Sequence, residues 1–171
     1  MENNYKSINE KIKIAKEYYE FLSDKLKNDK EFNKLLNQYR NSIAKSNKIM
    51  KEFGIVEICK NCSQNTPGGS CCGKGIEDWY DEYLLLTNLL LGIKLNDKRR
   101  YSNGCLFLGP KGCTLLARHD FCINYLCFRI KDALTPFQLQ SLTSTYGYEI
   151  FLYIEIEKTL KQFFSDIDIS I

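Results

Sequence analysis

Eight cysteines constrain this chain more than any other feature. They fall into two groups of four. The first is Cys59, Cys62, Cys71 and Cys72, in C-K-N-C-S-Q-N-T-P-G-G-S-C-C. The second is Cys105, Cys113, Cys122 and Cys127, in C-L-F-L-G-P-K-G-C-T-L-L-A-R-H-D-F-C-I-N-Y-L-C. Glycine and proline interrupt both groups, as suits a chain that must bend around an ion. So many thiols imply either disulfides or metal, and the redox compartment decides between them. The N-terminal residues are polar and charged with no apolar stretch behind them, so no secretory signal is read. The longest apolar run, residues 84–86 and 89–91, is broken by Thr87 and Asn88. It falls far short of the ~20 residues of a membrane helix. The expectation is a cytoplasmic protein with reduced thiols, and therefore metal.

Thiolates bind soft or borderline ions. Zinc takes four in a tetrahedron, and iron–sulfur clusters are also held by cysteine thiolates. Cys59 and Cys62 form a C-x-x-C chelating pair. A thioredoxin-type redox pair would need a preceding strand and a helix carrying the second cysteine, whereas here a loop with Pro67-Gly68-Gly69 comes after the pair. A haem-attachment motif is excluded because Ser63, not His, follows Cys62. Adjacent residues of an extended chain point opposite ways, so Cys71 and Cys72 are expected to serve different ions or different irons, linking the two groups. Eight thiolates fit two four-ligand sites or one multinuclear site, and spacing does not choose between them. Nor does it choose between Zn2+ and an iron–sulfur cluster. His119, the single histidine, is read either as a ligand replacing a thiolate or as a loop imidazole. Arg118 and Lys111 are candidates to neutralise a thiolate-rich, anionic site.

The order of these residues resembles the YkgJ-like family of zinc- or iron-chelating proteins. The pattern is C-x-x-C, then C-C, then C-x-F-L with G-x-C, then an Arg four residues before C-x4-C. It covers residues 59–127. Cys105, Phe107, Leu108, Cys113, Arg118, Cys122 and Cys127 fall on its second half. The family often has Arg-Pro where this chain has Arg118-His119. The resemblance implies metal binding through the eight cysteines and no agreed reaction. Flagellin lysine methylases join a similar cysteine region to further sequence. This chain lacks a glycine-rich nucleotide fingerprint, so methyl transfer is not carried over.

Helical periodicity fills the rest. Ile8, Ile12, Ala15, Tyr19, Leu22 and Leu26 lie on one helix face. Asp29 is placed to cap a second helix with Phe32, Leu35, Leu36, Tyr39, Ile43 and Met50 facing inward. Residues 5–52 therefore predict an antiparallel helical hairpin, with one long helix as the alternative, and a Lys-, Glu- and Asn-rich outer face. That face is read as solvated, with a protein-partner surface as the alternative. Gly54 ends this region, and residues 53–76 read as loop. A buried helix is expected from Glu77 or Asp78 to Gly92, with acidic residues at its start complementing the dipole. Residues 94–104 read as a loop whose Lys98-Arg99-Arg100 run is solvated. Leu106, Phe107 and Leu108 form a short strand or wall the site, and residues 115–130 are helical or mixed. Thr135, Pro136 and Gln138 supply an N-cap, a first-turn proline and a capping box. Gly147 is expected to break or kink the segment after it. Residues 148–164 alternate like a strand but are long enough to be a helix.

The predicted fold is mainly α: one domain over 1–171, a helical bundle with an irregular cysteine-rich metal-binding centre. The hairpin spans 5–52, the core 53–130 and a C-terminal helical segment 134–166. A net charge of +3 with interspersed signs lacks the basic stripe of a nucleic-acid binder, and no membrane partner is expected. The leading function is a cysteine-ligated metal-binding protein. The alternatives are a redox or group-transfer enzyme using the metal, and a partner-binding module with structural metal.

Overall fold

The computed structural model describes residues 6–65 and 71–168, and the fold is mainly helical. In chain order the elements are α1 (Ile8–Asn28), α2 (Lys30–Glu52), α3 (Ile55–Asn65), a single 3-10 turn (Ile76–Trp79), α4 (Glu82–Leu90), β1 (Leu108–Gly109), β2 (Gly112–Cys113), α5 (Asp120–Asn124), α6 (Phe128–Ala133) and α7 (Pro136–Asp168). The chain divides into two compact units, each built from separate stretches of sequence. One comprises Met1–Ser23 with Lys60–Cys122, the other Asp24–Cys59 with Ile123–Ile171.

Asp29 caps α2 as its position predicts: its Oδ1 accepts from the Phe32 N–H at 2.9 Å, satisfying one of the donors a helix start leaves open. Gly54, at φ +72°, ends that helix. The segment beyond it is helical, not the expected loop. Residues 55–65 contain neither glycine nor proline and form α3. The turn-forming composition sits later, and Pro67-Gly68-Gly69 lies outside the described residues. The spacing of Ile55, Cys59 and Cys62 already had helical period.

In the unit carrying most of the cysteines, α1 is tied to the segment around α4. Lys6 pairs with Glu82 at 3.2 Å, the Lys11 ammonium donates to the Asp78 carbonyl at 2.6 Å, and the Tyr18 and Tyr83 rings lie 6.1 Å apart. The helix expected from Glu77 starts later than predicted. Residues 76–79 make the 3-10 turn, Tyr80 is extended, and Asp81 caps α4 by accepting from the Leu84 N–H at 2.8 Å. Trp79, on the 3-10 turn ahead of the helix, is half exposed. Leu84, Leu85, Leu86, Thr87 and Asn88 are all buried, so α4 is the central helix of this unit. Gly92 stops it in the left-handed region.

In the other unit α2 packs along α7. The Phe32–Phe163 and Tyr39–Tyr153 ring contacts, at 6.3 Å and 6.1 Å, fix an antiparallel register. Ile55, Ile123, Ile130, Leu134, Leu142 and Tyr146 form a buried cluster here. The capping box is present: the Thr135 N–H donates to Gln138 Oε1 at 2.9 Å and the Gln138 N–H to Thr135 Oγ1 at 3.3 Å. The residues that alternate like a strand are helical. Leu152 and Ile156 are buried while Tyr148 and Ile154 are half exposed, which is a period of 3.6 and not 2.

Gly147 does not break α7, which runs through it unbroken. A helical backbone hydrogen-bonds without a side chain, so one glycine weakens a long helix but does not end it. A Cβ built at Gly147 meets nothing within 4 Å. Gly147→Ala is therefore expected to stabilise the protein by about 0.5–1 kcal/mol, read as a shift of the urea midpoint at constant slope. A destabilised variant would show that the helix leaves regular geometry at this residue.

Candidate metal centre

Five of the eight cysteines converge on one pocket. Cys71, Cys72, Cys105, Cys113 and Cys122 line it with Ile76, Tyr80, Phe107, Leu108 and Arg118, and the space totals ≈ 380 Å³ including its opening to solvent. Both sequence groups contribute, and all ten residues belong to one unit. No disulfide joins any of the eight cysteines.

Two turns and a hairpin bring these sulfurs together. Cys71 and Cys72 sit in a turn, not in extended chain, so their thiols do not diverge as adjacent strand residues would. Both face the same pocket, and the Cys72 thiol donates to the Cys71 sulfur. That hydrogen bond is the main reason the Cys71 thiol falls to about 7, against the opposing effect of burial. It also raises Cys72, with burial adding to the effect. The Cys105 N–H donates to the Cys72 carbonyl at 2.8 Å, joining the first group to the second.

Leu108 and Gly109 pair with Cys113 and Gly112 across a two-residue turn, which carries Cys113 back to the pocket. Gly112, which follows the two loop residues, adopts φ +106°, a conformation that glycine takes without steric cost. Lys111 is exposed at the tip. Phe107 is fully buried and Leu108 partly so, and both wall the site. Cys122 is carried by α5, whose start is closed by the Cys122 N–H donating to the His119 carbonyl at 2.8 Å.

The electrostatics suit sulfur donors. Burial pushes the Cys105 thiol up to about 12, and the Phe107 N–H aimed at its sulfur opposes this. Cys113 is exposed as a residue, yet its sulfur faces inward. Burial raises its pKa, opposed by the Leu115 N–H and the charge of Arg118. Each of these cysteines thus receives a backbone N–H from two residues ahead, an arrangement that stabilises a thiolate. Cys122 is raised to about 11 by burial, while the Tyr80 hydroxyl, which donates to its sulfur at 3.8 Å, pulls it down. Tyr80 is itself 1% exposed, and burial followed by the nearby sulfurs raises its pKa strongly.

Cys59 and Cys62 are one helical turn apart on α3. Cys59 and Cys127 pack against the apolar cluster of Ile55, Ile123 and Ile130. Neither they nor Cys62 line the five-thiol pocket. His119 is also outside its lining. Its Nδ1 accepts from the Phe121 N–H at 3.2 Å and lies 2.7 Å from Asp120 Oδ1. Its ring rests 5.8 Å from Trp79 and 5.9 Å from Tyr80. Among the described residues, no three Cys, His, Asp or Glu side chains stand close enough together to hold an ion as placed.

The sequence reading missed several residues of this region. Tyr80 was hidden in an assumed helix. Arg99, read as solvated, pairs with the buried Glu77, which was read as a helix-dipole partner. Asn88, read as an interruption of an apolar run, is buried with its amide fully engaged. The only advance signal for Asn88 was its polarity amid leucines. No protein-family model, curated protein or solved structure matches this chain. Among the described residues no helix is long and apolar enough to cross a membrane.

Proposed function

We propose that this chain binds a thiophilic metal, as Zn2+ or as an iron–sulfur cluster, through the pocket of Cys71, Cys72, Cys105, Cys113 and Cys122. The observation that carries this reading is the gathering of five thiols from both sequence groups around one pocket. The donor chemistry fits. Two sulfurs receive backbone N–H groups, Cys122 receives the Tyr80 hydroxyl, and Arg118 supplies positive charge beside Cys113 and Cys122. Zinc requires four of the five thiolates. Burial favours the protonated thiols, so loading expels protons and draws the sulfurs inward, which couples binding to local folding. A zinc ion held this way cross-links the loops, whereas a cluster also supplies electron transfer. The eight-cysteine order, with its resemblance to YkgJ-like chelating proteins, points the same way. A reducing compartment such as the cytoplasm fits cysteines that form no disulfide.

The test is metal content with a visible spectrum on anaerobically prepared protein. Brown protein with iron and inorganic sulfide selects the cluster. Colourless protein with stoichiometric zinc selects the ion. Protein that retains neither and takes up no Co2+ on titration overturns the reading.

A further inference from the structure

Glu77 and Arg99 contribute no sulfur, yet they hold together two of the loops that do. Glu77 is 1% exposed. Its Oε2 accepts from the Gly75 N–H at 3.0 Å and from the Leu106 N–H at 3.3 Å. Its Oε1 pairs with the Arg99 guanidinium, which also donates to the Gly104 carbonyl. One buried carboxylate thus engages the backbone just beyond Cys72 and just beyond Cys105. The backbone closes the same seam. The Cys105 N–H reaches the Cys72 carbonyl at 2.8 Å, the Lys74 N–H reaches the Asn103 carbonyl at 3.0 Å, and Gly73 bridges to Gly104.

The pair adds little net stability by itself, because desolvation of the buried carboxylate offsets much of the attraction and the Arg99 side chain is 25% exposed. Its use lies in geometry. The guanidinium fork and the two carboxylate oxygens have fixed directions, so the segments they join have one register. Burial pushes the Glu77 carboxyl up, but Arg99 and the backbone N–H groups together bring it below its ordinary value. The pair is therefore ionised at neutral pH.

We propose that the Glu77–Arg99 pair is the positioning device of the thiol pocket. It sets Cys72 and Cys105 in register before an ion arrives, and so determines affinity without touching the ion. This inference rests on the metal-binding reading.

The experiment is a Co2+ titration of the full-length protein, followed by thiolate-to-cobalt absorption. It compares wild type, Glu77→Gln, Cys105→Ser and the double variant. Glu77→Gln is expected to weaken Co2+ binding about tenfold, as loss of a ligand-orienting partner does, with unchanged far-UV circular dichroism. If Glu77 acts through the placement of Cys105, the double variant binds no more weakly than Cys105→Ser alone. Additive losses, or a Glu77→Gln variant that binds like wild type, overturn the inference while leaving metal binding intact. A wild-type protein that takes up no Co2+ overturns both. Should Glu77→Gln fail to fold, Arg99→Lys replaces it in the same cycle, since it keeps the charge and loses the fork.

Discussion

Serine in place of Cys113 or Cys122 is expected to lower Co2+ and Zn2+ affinity by about two orders of magnitude each. Structural zinc sites are worth about 10–16 kcal/mol at neutral pH. Shared over four thiolates, this is about 3 kcal/mol per ligand, which is roughly a hundredfold in affinity. A serine hydroxyl is a harder donor and does not ionise near neutrality, so it does not replace the lost sulfur. Cys62→Ser, outside the pocket lining, is expected to leave affinity unchanged. Cys59→Ser places a hydroxyl against the apolar cluster of Ile55 and Ile123. Its effect belongs to stability, at about 1–2 kcal/mol, and not to metal affinity. Competition with a chromophoric chelator measures affinity, and urea unfolding measures stability. If Cys62→Ser costs as much affinity as Cys113→Ser, the ligand set extends beyond the five thiols and the pocket reading fails.

What was legible in the sequence is what depends on near neighbours. Asp29 and Thr135 cap helices through residues three positions away. The face of α1 with Ile12, Ala15, Leu22 and Leu26 is buried as its period demands. Arg118 was legible as a cation for the cysteine region, and its charge acts on Cys113 and Cys122. The errors came from averaging composition over a window. The glycines downstream of Cys62 made residues 53–76 look like one loop, although 55–65 had no breaker and formed α3. The same averaging made Glu77 to Gly92 look like one helix, because the extended backbone of Tyr80 leaves no compositional trace. Partners distant in sequence were not legible at all. Glu77 and Arg99 are 22 residues apart, and no local pattern reports that their loops meet. That five of the thiols line one pocket is likewise a property of the loops. Adjacent cysteines share one pocket only because Cys71 and Cys72 lie in a turn, which residue type alone does not specify.

Asn88 supplies the largest expected stability effect of a single substitution. It is 0% exposed. Its Nδ2 donates to the Leu84 carbonyl at 2.9 Å and to the Ala117 carbonyl at 2.8 Å. Its Oδ1 accepts from the N–H groups of Leu116 and Ala117, both at 3.0 Å. One amide therefore fastens the segment between Cys113 and Arg118 to α4. Asn88→Ala deprives three backbone groups of the 116–117 segment of this partner, at about 1–3 kcal/mol for each that stays dry. A total loss of about 3–5 kcal/mol is expected.

Asn88→Asp is the more informative change, because it keeps shape and one acceptor oxygen. The other oxygen then faces two carbonyls inside the protein, and the buried charge has no compensating cation among these four contacts. Burial and the carbonyl dipoles raise the folded-state pKa of the new carboxyl above its unfolded value of about 3.9. A raised folded pKa means that the neutral, donating form stabilises the fold below about pH 4, and that this contribution is lost as pH rises through the folded value. Relative to wild type, Asn88→Asp should be most destabilised at pH 7 and recover part of the deficit on acidification. Urea unfolding of both proteins at two pH values measures this. A variant as stable as wild type at pH 7 would show that the side chain does not hold the four contacts. Both substitutions loosen the segment leading from Cys113 to Cys122, so each should also weaken Co2+ binding. The loss should be smaller than that of Cys113→Ser, because the sulfurs remain and only their placement is relaxed.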